Sequence, residues 1–158
     1  LKHFKALQLQ YQAVIGGGNP SDSVFYDFGT MSVAEIQRFL ESKVPVCRAN
    51  DGGPTCLRDY VSEQLEKVGE DGKCAPMPAL PNIRASQMIY NIARACGINP
   101  KVLLVTLQKE QGLIQASNPT AYMYRAAMGY GCPDSDPAIC GKVWVGLFNQ
   151  LYKAAGQF

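Results

Sequence analysis

Residues 99–115 read NPKVLLVTLQKEQGLIQ, and this stretch decides the fold. Asn99 is a favoured helix N-cap and Pro100 suits the first helical position, so the start is well marked. Gly112 interrupts at the far end, and Asn118-Pro119 closes the segment. At about 100° per residue, Leu103, Thr106, Leu107, Leu113 and Ile114 all fall within roughly 60° of Glu110. A carboxylate therefore sits inside the apolar stripe, near the C-terminal end of a helix that otherwise wants to be buried. Burial and the negative end of the helix dipole both favour the neutral, proton-donating acid. Glu110 is accordingly the expected general acid.

The helix before it is expected from Asn82 as cap, with Ala85, Met88, Ile89, Ile92 and Cys96 inward and Gly97 as the stop. Upstream, Ser32 and Glu35 form a capping box ahead of Val33, Ile36, Phe39 and Leu40. Thr55 is expected to cap another helix with the stripe Leu57, Tyr60, Val61, Leu65 and Val68, ended by Gly69. Residues 70–82 are rich in Pro and Gly and read as a rigid extended loop. Downstream, a short helix is expected from Thr120 and a final one over 143–158, with Trp144, Leu147, Phe148, Leu151, Tyr152 and Ala155 at helical spacing. The fold class is α+β, mainly α, with at most a minimal β region. Residues 1–20 read as an arm or linker and 21–158 as the catalytic domain.

Composition bounds the rest. The chain has 158 residues, a formal net charge of +2 and 18% charged residues, so no strongly basic surface recommends a nucleic-acid partner. No apolar run approaches the roughly 20 residues of a membrane span. The six cysteines form no CxxC pair and the single histidine, His3, lies in the arm, so neither a metal nor another cofactor is expected. An even cysteine count without metal spacing favours disulfides and an oxidising, secreted setting over reduced cytosolic thiols. Proximity pairs Cys47 with Cys56 and Cys132 with Cys140, which leaves Cys74 with Cys96. GxSxG, phosphate-binding glycine loops and HExxH are all missing from the sequence, which argues against hydrolases, nucleotide enzymes and zinc peptidases built on them.

The segment INPKVLLVTLQKEQGLI resembles the catalytic helix of soluble lytic transglycosylases and goose-type lysozymes. AMGYGCPD, further along, is similar to their Gly-rich cleft motif. The wider arrangement, FYDFGTMSVAEIQRFLESK followed by these segments and GLFNQLYKAAGQF, resembles a cysteine-containing lysozyme-like domain of secreted Gram-positive cell-surface proteins. The resemblance covers residues 23–158. It implies a lysozyme-like fold with Glu110 facing a cleft, and cleavage of the β-1,4 bond between N-acetylmuramic acid and N-acetylglucosamine. It also implies peptidoglycan glycan strands as partner and a secreted or cell-wall location.

Within that reading, Gln111, Gly129, Tyr130, Gly131 and Asp134 are the candidate substrate-binding residues. Two positions depart from the family pattern: Gln111 replaces the usual Ser, and Cys132 stands where the cleft motif carries Gln. A hydrolytic lysozyme needs a second carboxylate, for which Asp134 and Asp136 are candidates. A non-catalytic cell-wall-binding or adhesin domain on the same fold is the alternative from another class. The chain is expected as a monomer, open to being one part of a longer multidomain protein.

Overall fold

A computed structural model describes residues 27–69, 73–130 and 145–158. The expected arm over 1–20, Gly131, Asp134, Asp136, Trp144 and the Cys132–Cys140 pair lie outside these residues. Among the described residues five α-helices dominate: α1 (Val33–Lys43), α2 (Ala85–Cys96), α3 (Pro100–Gln111), α4 (Ala121–Arg125) and α5 (Leu147–Gln157). A short 3-10 turn (Leu57–Asp59) leads into β1 (Val61–Gln64), which pairs antiparallel with β2 (Leu80–Arg84). The molecule is therefore α+β and mainly α.

The helix ends follow the local chemistry. The capping box of α1 forms as its spacing demands: Glu35 N–H donates to Ser32 Oγ and Ser32 N–H donates to Glu35 Oε1, each at 3.1 Å. These bonds hold the Glu35 carboxyl below the usual carboxylate range. At α3, the buried Asn99 side chain accepts from Lys101 N–H at 2.9 Å and from Thr30 Oγ at 2.7 Å. One residue thus caps the helix and ties the chain ahead of α1 to it. Gly97 and Gly112 both take the left-handed conformation that ends a helix, with φ of 63° each.

Three expectations are corrected. Residues 57–68 do not form a helix; they give the 3-10 turn and β1. Helical spacing of Leu57, Tyr60, Val61, Leu65 and Val68 misleads because Val61 and Val68 are exposed, so the five never share a buried face. What decides the segment is pairing with residues about twenty positions away: Val61 faces Arg84, Ser62 faces Ile83 and Gln64 faces Leu80. A further bridge joins Lys67 to Met77 in the proline-rich stretch. The minimal β region is this hairpin-like pair. Second, Asn82 belongs to β2 and does not cap α2; Arg84 takes the N-cap position without a side-chain bond. The N–H of Ala85 donates instead to Tyr60 O at 2.9 Å, so strand pairing itself anchors the helix start. The last helix likewise begins at Leu147 rather than Val143, after Gly146 with φ of 96°.

Helix α2 packs against α1, α3, α5 and both strands, and α5 against α4 and β1. Every residue from Val102 to Leu107 in α3 is buried, so this helix runs through the core rather than over it. Among the described residues two disulfides fasten the frame, Cys47–Cys56 and Cys74–Cys96, in the expected pairing.

Candidate functional site

Glu110 lies one residue before the end of α3. The stripe around it is buried as expected: Leu103, Thr106, Leu107, Leu113 and Ile114 are each 3% exposed or less. Glu110 itself is half-buried, at the point where the stripe reaches the surface. The helix ends in a tight turn there, with Gly112 N–H donating to Gln108 O at 2.9 Å and Leu113 N–H to Leu107 O at 3.3 Å. Gln108 and Gln115 brace that turn through two bonds, Nε2 to Oε1 at 2.9 Å and Gln115 N–H to Gln108 Oε1 at 3.2 Å.

Gly129 lies directly on the carboxylate. A Cβ placed there would sit 2.5 Å from Glu110 Oε2 and 3.1 Å from its Cδ, closer than real side chains approach, and the backbone has φ of +71°. The left-handed backbone favours glycine, and any side chain there would force the Glu110 carboxylate to shift. The Gly129 N–H donates to Ala126 O at 2.8 Å, so it closes the turn after α4. One edge of the Glu110 carboxylate is thus covered by main chain, with no side chain between.

Gln150 holds that main chain in place. Its Oε1 accepts from Met128 N–H and Tyr130 N–H, both at 3.0 Å, and its Nε2 donates to Tyr130 O at 2.7 Å. It is fully buried in α5. Sequence reading passed over Gln150, yet the signal was present. It stands at i+3 from Leu147 and i−1 from Leu151, a polar residue within an apolar stripe, just as Glu110 does.

The turn is steadied from its other end. Tyr124 of α4 stacks on Tyr60 with ring centroids 3.9 Å apart, and its hydroxyl donates to Thr55 O at 2.6 Å. Burial pushes both phenols up, Tyr124 most strongly. The Cys47–Cys56 loop docks on the segment after α3, where Arg48 N–H donates to Ser117 O at 2.7 Å. The structure thus brings Glu110 and Gly129 together, with the half-buried Tyr130 following directly in the chain. Gln111 occupies the last position of α3 beside Glu110. Among the described residues, no cluster of His, Cys, Asp and Glu could hold a metal ion.

Residues 19–157 match the protein family described as LasA, N-terminal domain. The chain belongs to this family. The matched span of the LasA N-terminal domain includes Glu110, Gly129, Tyr130 and Gln150 together. No curated protein and no solved structure gives a match. No described helix of this LasA N-terminal domain is long and apolar enough to cross a membrane.

Proposed function

We propose that this LasA N-terminal domain is a secreted, lysozyme-like lytic transglycosylase that cleaves peptidoglycan glycan strands at the cell wall, with Glu110 as its acid and base. The observation that carries the reading is the contact between Glu110 and Gly129. An acid at the end of a buried helix, covered by glycine backbone, agrees with the resemblance of INPKVLLVTLQKEQGLI and AMGYGCPD to the catalytic helix and cleft motif of that family. In this reaction Glu110 protonates the glycosidic oxygen as the bond to C1 of N-acetylmuramic acid breaks. The resulting carboxylate then takes the proton of the same sugar's 6-hydroxyl as that oxygen bonds to C1. Glu110 is regenerated in its acid form, and the product carries a 1,6-anhydro end. One carboxylate suffices because the sugar supplies its own nucleophile. Two disulfides agree with an extracellular setting.

Product analysis on purified peptidoglycan tests the reading. Anhydro ends are expected, and Glu110→Gln should abolish their release while leaving the fold intact. Reducing ends would convert the assignment to a hydrolytic lysozyme. Binding without release would make the domain a cell-wall adhesin, and release by the Glu110→Gln variant would remove Glu110 from the chemistry.

A further inference from the structure

A second groove, which shares no lining residue with the Glu110 site, runs between the outer face of α2 and the proline-rich stretch before β2. It encloses about 540 Å³, within the size range of ligand pockets. Its walls are fixed by a chain of amides. Gln87 Nε2 donates to Asn91 Oδ1 at 2.7 Å, Asn91 Nδ2 to Gln64 Oε1 at 3.0 Å, and Gln64 Nε2 to Pro78 O at 2.7 Å. Gln64 is buried, so this chain fastens the helix to the proline wall from within.

Arg94 lies at one end of the groove. Its guanidinium lies 5.6 Å from the ring centres of both Phe28 and Tyr90 and donates to Tyr90 Oη at 3.3 Å. Those rings fix its position, and among the described residues Arg94 makes no ion pair. A second depression, of about 410 Å³, continues past Arg94 to Lys73. Neither depression has a carboxylate among its described lining residues.

We propose that this groove binds a short, extended acidic peptide, with a carboxylate on Arg94. Gln87 to Arg94 spans seven helical steps, about 10 Å, which matches roughly three residues of extended chain. The amides of Gln87 and Asn91 complement peptide groups, and the planar guanidinium suits a carboxylate. The proline wall offers few donors: Pro76 and Pro78 have no N–H, the N–H of Met77 goes to Lys67 O and that of Ala75 to Ala95 O. A ligand rich in its own N–H groups fits such a wall better than one that needs donors on every side. A second carboxylate, at the peptide C-terminus, falls toward Lys73. The proposal is independent of the chemistry assigned to Glu110.

Titration of the whole chain by amide NMR tests it, with acetyl-Ala-Ala-Glu carrying a free C-terminus as probe and acetyl-Ala-Ala-Gln-amide as its neutral counterpart. Saturable shifts are expected at the Gln87 and Asn91 side-chain amides and at Ala95. The neutral peptide and the Arg94→Gln variant should each bind about tenfold more weakly. Arg94 is exposed, so this variant folds; Glu110→Gln should bind as the parent does. Equal binding of both peptides, an unchanged affinity in Arg94→Gln, the absence of saturable shifts, or shifts centred on Gly129 would each overturn the proposal.

Discussion

Gln150 and Tyr130 are joined in both directions: the side-chain oxygen accepts from the Tyr130 N–H at 3.0 Å, and the side-chain nitrogen donates to the Tyr130 carbonyl at 2.7 Å. With the bond from Met128 N–H, one buried amide satisfies three backbone groups on either side of Gly129. Leucine fits the space but can pair with none of them. Gln150→Leu should therefore cost about 1–3 kcal/mol, read as a lower midpoint in urea unfolding, because it removes one buried bond and two part-buried ones. The cover over Glu110 should loosen in the same variant, so amide exchange at Met128 and Tyr130 should accelerate.

Two glycines with nearly the same backbone separate conformation from crowding. Gly97 has φ of +63° and nothing within 4 Å of an added Cβ, whereas Gly129 has φ of +71° and Glu110 Oε2 at 2.5 Å. Gly97→Ala should lose only the left-handed penalty, about 1 kcal/mol. Gly129→Ala should lose that and a further 1–3 kcal/mol, roughly the cost of overpacking. Equal losses by chemical denaturation would show that the carboxylate moves aside without cost.

Alkaline pH should unfold the protein through its stacked tyrosines. Burial raises the phenols of Tyr60 and Tyr124 above their ordinary value. A group whose folded value lies above its unfolded one contributes stability that is complete below the unfolded value, near pH 10, and is lost as pH rises beyond it. The unfolded chain ionises first and is thereby favoured. Tyr124→Phe should lower stability at pH 7 by about 1 kcal/mol, through the bond to Thr55 O, yet flatten the decline above pH 10. Denaturant midpoints measured from pH 7 to 11 check both effects.

The two disulfides should differ modestly. Cys47–Cys56 closes a separation of 9 residues and Cys74–Cys96 one of 22. Loop-closure entropy puts their contributions at about 2.7 and about 3.4 kcal/mol. Paired Cys→Ser variants, compared by reversible unfolding, should rank in that order. Thiol titration of the unreduced, denatured chain should find no free thiol if Cys132 and Cys140 also pair.

Local chemistry made much of the frame legible. Ser32 with Glu35, Asn99 with Pro100, and the helix-ending Gly97 and Gly112 announce themselves because each acts on neighbours within about four residues. Cys47–Cys56 was readable because short spacing limits partners, and Cys74–Cys96 only as the pair left over. The β pair was not, since Val61 to Gln64 finds its partner only after a long proline-rich detour, and spacing within the segment imitates a helix. At the site, Glu110 was visible as a carboxylate in an apolar stripe, and Gly129 through its resemblance to a cleft motif. Gln150 was not singled out, although the same anomaly marks it. Its importance comes from three backbone groups about twenty residues earlier, which no local pattern specifies.

Helix α5 supplies the clamp that fixes the cover over Glu110, and it is the last element of the described chain. Because ribosomes build proteins from the N-terminus, the acid emerges well before the residue that steadies its surroundings. The centre must mature in a set order: α3 can bury its stripe early, but the turn at Gly129 gains its restraint only when Gln150 docks. A chain interrupted ahead of Leu147 would retain its acid and lose the means of holding it at a defined distance from the backbone. Assembly of the site thereby waits on the synthesis and docking of α5.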